Sequence, residues 1–171
     1  MSKPFLSISR AKCQTGLRHN TCSTRPLMRI SNYMTRSPHT IAIDRTLADA
    51  HSLMRQYRIR HLPVLERGKL VGIVSERDLH LVETLKDVTP TEATVEEAMS
   101  QEVFVTEPGA SLARVARAMA SRKLGSAVVV HHGQVLGIFS TVDALRALSE
   151  IAAEKRQRPL TKAREAQRAR A

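Results

Sequence analysis

Aromatic side chains make up only 3% of this 171-residue sequence, and tryptophan is absent. A packed interior must therefore be aliphatic, drawn from the 42% of residues that are hydrophobic. Only two cysteines occur, Cys13 and Cys22. Two thiols exclude a disulfide framework, and the eight residues between them match no zinc pattern. No stretch approaches the roughly 18 consecutive apolar residues of a membrane span, and no secretory signal is visible, so a cytoplasmic location without membrane contact is expected. Acidic residues are missing from the first 33 positions, which hold six basic ones.

That last absence locates the charge. The net charge of +11 resides in the two ends: six cations in 1–33, and seven against two acids in 154–171. Residues 34–153 carry 14 cations and 14 acids and are neutral. A high isoelectric point ordinarily suggests nucleic acid, but here only the tails carry that footprint. Residues 1–29 read as a disordered basic extension, being Ser/Thr/Arg-rich without hydrophobic periodicity. Either Met28 is the true translation start, which the onset of patterning there favours, or the segment is an organelle transit peptide. Residues 153–171 read as a basic tail, helical or disordered.

The folded part is an internal repeat. A shift of 65 residues overlays 30–85 on 95–150 without gaps, giving ten identities. Five of them crowd into G-K-L-V-G-I-V-S-E-R-D at 68–78 against G-Q-V-L-G-I-F-S-T-V-D at 133–143. The patterning predicts the same order twice. A short β run (40–43; 103–106) leads to a helix capped by Thr46 or Ser111. A hairpin follows, 61–65 with 69–74 and 127–130 with 135–139, turning at Gly68 and Gly133. A second helix begins near Asp78 and Asp143. The expected class is mixed α/β (α+β), two β-α-β-β-α units of about 56 residues. Each is too small to bury a core alone, so the two must pack together. The organisation is thus 30–85, a linker at 86–94, and 95–152.

The motifs H-L-P-V-L at 61–65, G-I-V-S-E-R-D at 72–78 and G-I-F-S-T-V-D at 137–143 resemble those of a tandem cystathionine-β-synthase-type (CBS) domain pair. The resemblance covers about 30–152. It implies two repeats related by a pseudo-twofold axis, with two clefts between them, and a regulatory role through adenosine-containing ligands such as AMP, ADP or ATP. It also implies a homodimer packed through its helices. The apolar faces of Leu53, Met54, Met119 and Leu148 are expected to serve core and interface, and an effector protein is the implied target.

Residue chemistry agrees with that resemblance. A carboxylate accepts two hydrogen bonds and suits vicinal ribose hydroxyls, the role expected of Asp78 and Asp143. Ser75 and Ser140, three residues earlier at a helix start, suit a phosphate. So do Arg58, Arg60 and His61, the arginines through their planar fork; they sit in the first repeat and point to Asp78 as the more important site. Adenine needs an apolar slot: Thr40, Ile41, Ala42, Leu62 and Pro63 for one, Val105, Thr106, Ala127 and Val128 for the other. S-x-x-D before an apolar run is equally a plain capping box. No metal site is expected: His131 and His132 occupy a turn, and His51 reads as a surface residue of the first helix. Without a P-loop or G-x-S-x-G motif, no enzyme and no cofactor are expected. The competing function is a dimeric scaffold that holds nucleic acid through its basic tails.

Overall fold

The computed structural model describes residues 28–85 and 88–168, with side chains as far as Glu154. Residues 1–27, including Cys13 and Cys22, lie outside it, as do the side chains of the basic tail. Two sheets, each with its own helices, make up the fold. In the first, β2 (Ile41–Ala42) runs parallel to β3 (His61–Glu66), which pairs antiparallel with β4 (Lys69–Ser75). In the second, β5 (Val105–Thr106), β6 (Ser126–His131) and β7 (Gln134–Ser140) repeat that order, and β1 (Thr35–Arg36) adds an antiparallel edge to β7. α1 (Leu47–Tyr57), α2 (Glu76–Glu83) and the short α3 (Val95–Ala98) cover the first sheet. α4 (Leu112–Arg122) and α5 (Thr141–Arg168) cover the second.

Local detail repeats at the same 65-residue interval. Both hairpins close on two-residue loops, Arg67-Gly68 and His132-Gly133, with positive φ at all four positions. That is the turn whose twist matches paired strands, and glycine adopts its second position without a Cβ penalty. Both hairpins carry a bulge, at Val64/Leu65 and Val129/Val130. α1 and α4 both end in a left-handed residue, Arg58 (φ 52°) and Lys123 (φ 56°). The expected caps differ: the Thr46 hydroxyl accepts from the Asp49 amide at 3.1 Å, whereas Ser111 caps α4 without a side-chain bond.

What joins the halves is a reciprocal exchange. The lead segment of each repeat packs on the other repeat. Met28, Ile30, Tyr33 and Met34 belong to the core of Leu112, Val115, Met119 and Phe139. Val88, Ala93, Val95, Ala98 and Met99 belong to that of Leu47, Met54, Val64 and Leu79. The first free amides of α1 and α4 find their acceptors this way, Leu47 on the Ala93 carbonyl at 3.0 Å and Leu112 on that of Met28 at 2.8 Å. Residues 88–94, expected to be a linker, thus complete the first core and satisfy the start of α1. β1 pairs with β7, and its counterpart Ser100 bridges Ile73 on β4. Met34 lies over Gly137, and Met99 over Gly72.

The interface expectation changes in detail. Met54 and Met119 are 2% and 4% exposed and are core residues. Of the four residues expected to serve both roles, Leu148 is the one left mostly exposed, and Leu81, Leu85 and Leu145 join it.

Candidate functional site at the junction of the repeats

α2 and α5 begin with the same construction. The Ser75 hydroxyl donates to Asp78 Oδ2 at 2.6 Å, the Ser75 amide donates to that oxygen at 2.9 Å, and the Ser75 hydroxyl accepts from the Asp78 amide at 3.3 Å. Ser140 and Asp143 repeat this at 2.7, 2.8 and 3.3 Å. Both pairs are therefore complete capping boxes. Each uses one carboxylate oxygen and leaves the other to its surroundings, which is where they part. Among the described residues no donor reaches Asp78 Oδ1. Asp143 is buried, and its Oδ1 accepts long contacts from the Thr35 hydroxyl and Arg146, both at 3.4 Å.

Each box borders a cleft. The smaller, of about 310 Å³, brings Ser140 and Asp143 together with Thr35–His39 and Arg58–His61. Four arginines, Arg36, Arg58, Arg60 and Arg146, line it with a single acidic residue, Asp143. Its apolar walls are Pro38, Ile59, Ile138 and Val142, and the His39 ring stacks on Tyr57 at its rim, 3.6 Å between centroids. The larger, of about 930 Å³, joins Ser75–Asp78 to Lys123–Gly125 and to the faces of α4 and α5 carrying Met119, Ala144 and Leu145. Arg60 and His61 line both. His61 fits there because Gly125 has no Cβ, which would stand 2.6 Å from its Nε2. Burial, then the Arg60 guanidinium, lower the His61 pKa below its ordinary value; Asp78 opposes them.

The basic cluster is therefore divided otherwise than its position in the chain suggests. Arg58, the left-handed residue that ends α1, lines the cleft of Asp143 and not that of Asp78. Shifting the smaller cleft by 65 residues makes the contrast plain: Arg36, Arg58 and Arg146 correspond to Gln101, Lys123 and Leu81.

Neither cleft is lined by the residues expected for adenine, Thr40, Ile41, Ala42, Leu62, Pro63, Val105, Thr106, Ala127 or Val128. β2 and β5 are outer edges, separated from the junction by two strands, and Leu62, Ala127 and Val128 are fully buried. Thr35–His39 and Arg146 carry no sequence signal of their own. They reach the cleft through the exchange of β1, and through the position one turn beyond Asp143.

His131 and His132 are exposed on their turn, as expected. His51 differs from expectation: it is 9% exposed, within the face of α1 that also buries Leu47, Ala50 and Met54. No helix among the described residues is long and apolar enough to cross a membrane.

Comparison with known proteins accords with this architecture. The CBS domain family model matches residues 30–82 and 95–150. The chain is 29% identical over 114 residues to the CBS domain-containing protein YhcV of Bacillus subtilis, covering 67% of this chain and 81% of that one. Its fold is similar to the solved structure of a putative acetoin utilization protein, AcuB, from Vibrio cholerae, with TM-score 0.70, 31% identity, and coverage of 77% and 97%. It is also similar to the CBS domain pair of protein MJ0100 in complex with 5-methylthioadenosine and S-adenosyl-L-methionine, with TM-score 0.63, 25% identity, and coverage of 71% and 99%. Enzymes also match, but the chain spans only 27% of the inosine-5'-monophosphate dehydrogenase of Korarchaeum cryptofilum. Two matched segments, two repeats exchanging their lead segments and two capped S-x-x-D motifs all agree: the chain belongs to the CBS domain family, as a tandem pair.

Proposed function

We propose that this chain is a non-catalytic regulatory module that binds an adenine nucleotide, AMP, ADP or ATP, in the smaller cleft at Asp143. The observation that carries the reading is the lining of that cleft: four arginines from three separate segments around one buried carboxylate. Guanidinium forks suit phosphate oxygens. The 3.4 Å contacts on Asp143 Oδ1 are long enough to yield to shorter bonds from ribose hydroxyls. Pro38, Ile59, Ile138 and Val142 then supply the apolar slot for the base. The volume lies at the lower end of the range for small-ligand sites. The adenosine ligands held by the CBS pair of MJ0100 support the adenosine part of this choice.

The larger cleft has the same cap but a wider and less basic lining, and under this reading it is the weaker site for phosphate. A homodimer in the cytoplasm, joined through Leu81, Leu85, Leu145 and Leu148, is the assembly proposed to pass the signal to an effector protein.

The test is calorimetric. AMP is expected to bind at least about 10-fold more tightly than adenosine, and Arg58→Gln and Arg146→Gln are each expected to weaken AMP by roughly 10-fold, the scale of one charge-assisted hydrogen bond, with little effect on adenosine. Failure of AMP, ADP and ATP all to bind, or unchanged affinity in both variants, overturns the reading.

A further inference from the structure

Away from both capping boxes, α1 and α2 bring three ligand-bearing side chains together: His51 from α1, and His80 and Glu83 from α2. One donor atom from each lies within 4.8 Å of the other two. The His51 ring is buried, yet its Nε2 has no hydrogen-bond partner. Glu83 Oε1 approaches that nitrogen to 2.8 Å, but off the line a hydrogen bond requires. The His80 ring stands edge-on to it, 5.1 Å between centroids at 75°. His80 Nδ1 lies 2.7 Å from the Glu76 carbonyl. A carbonyl only accepts, so that nitrogen donates, and in the neutral ring Nε2 is the nitrogen with the lone pair.

We propose that His51, His80 and Glu83 form a binding site for a divalent transition-metal ion of the zinc class, with a fourth position open to water. The chemistry selects the ion. Two imidazole nitrogens and one carboxylate oxygen suit zinc, cobalt or nickel, whereas magnesium and calcium take oxygen sets. The ligand atoms of a tetrahedral zinc site lie about 3.3 Å apart, given bond lengths near 2.0–2.2 Å. Closing the present triangle to that size asks for side-chain rotation at His80, which is exposed, and at Glu83, which is partly so. The backbone carbonyl behind His80 is the kind of outer contact that orients metal-bound imidazoles. A cation between the three groups also gives the buried His51 nitrogen the partner it lacks. Of the three, His80 also lines the larger cleft. Sequence spacing gives little sign of the site: His80 and Glu83 are one helical turn apart, but His51 comes from a different helix.

The test uses the full chain, freed of metal by chelation. Zinc is titrated by calorimetry, and cobalt is followed by its visible absorption. The expected result is one equivalent bound, with the intense bands of tetrahedral cobalt. Affinity should fall at least about 10-fold in both His80→Ala and Glu83→Gln, and stay unchanged in the control His131→Ala/His132→Ala. Neither α2 variant removes a core side chain, and circular dichroism confirms the fold of each. Absence of zinc binding, or binding that survives both α2 variants and so belongs to other histidines or to Cys13 and Cys22, overturns the proposal. Its outcome is independent of nucleotide affinity at Asp143.

Discussion

Asp78 and Asp143 make the same three bonds to a serine three residues back, yet only Asp143 is buried and ringed by arginines. Replacement by asparagine keeps an acceptor for the cap and removes the charge. Stability is expected to change by no more than about 1 kcal/mol in either variant. AMP affinity is expected to fall by roughly 1.5–3 kcal/mol in Asp143→Asn, the scale of a hydrogen bond to a charged group, and much less in Asp78→Asn. Calorimetry on both variants checks this; equal losses would remove the distinction between the clefts. His61 carries a second expectation. Its pKa is lowered by burial and by Arg60, so the fold prefers the neutral ring. Above about pH 6.5 the imidazole is neutral folded or unfolded and contributes no pH dependence. As pH falls below that value the unfolded chain takes up a proton that the folded chain resists. The corresponding stability is lost progressively until pH passes the lowered folded value. Urea unfolding at pH 7.5, 6.5 and 5.5 should show this decline in the parent and a shallower one in His61→Gln. Parallel profiles would place the sensitivity elsewhere.

Among the elements, the exchange of lead segments makes two small repeats interdependent, and glycine permits it. A Cβ on Gly137 would stand 2.6 Å from Met34 Sδ and 2.9 Å from the Thr35 carbonyl; on Gly72, 2.5 Å from Met99 Sδ and 3.1 Å from the Ser100 carbonyl. Gly72→Ala and Gly137→Ala should each destabilise by about 1–3 kcal/mol, the usual cost of overpacking. Rescue should differ. Met99→Ala removes the nearer obstacle to Gly72→Ala and should recover part of the loss, measured in the double variant against Met99→Ala alone. Met34→Ala should recover less for Gly137→Ala, because the backbone carbonyl at 2.9 Å stays in place. Equal rescue in denaturant titrations would show that both clashes are only with flexible thioethers. The hairpins and helices were legible because hydrophobic period and turn glycines are local signals. The exchange was not: Met34 and Met99 matched in register, but their partners, Gly137 and Gly72, lie far along the chain.

For the whole molecule, the exposed leucines are the informative surface. Leu81, Leu85, Leu145 and Leu148 are 58–66% exposed on or beside α2 and α5. If they join two copies, sedimentation should report a dimer at tens of micromolar, and Leu145→Glu/Leu148→Glu a monomer with unchanged circular dichroism. A parent monomer at that concentration would refute the interface. The tails are a separate matter, since the neutral middle has no polyanion footprint. Removing 1–27 and 155–171 should leave AMP affinity unchanged and abolish any salt-dependent retention on DNA or RNA. Retention by the truncated chain would shift the nucleic-acid reading onto the folded part.

The amino-acid sequence by itself determined the two repeats, their element order, both hairpin turns and both capping boxes. Each follows from residues close along the chain, where periodicity, a glycine in a turn, or a serine and an aspartate three apart act within one element. It also determined the family resemblance, which rests on those same motifs. Only the tertiary structure decided which arginines face which aspartate, and that the residues expected around adenine lie off both clefts. It alone turned His51 from an expected surface residue into a buried side chain beside Glu83. The physical reason is common to all three. A cleft between the repeats is assembled from segments of both, and the face a helix buries depends on what packs against it. Arg58 is three positions from His61 in sequence, yet it lines only the cleft of Asp143, whereas His61 lines both.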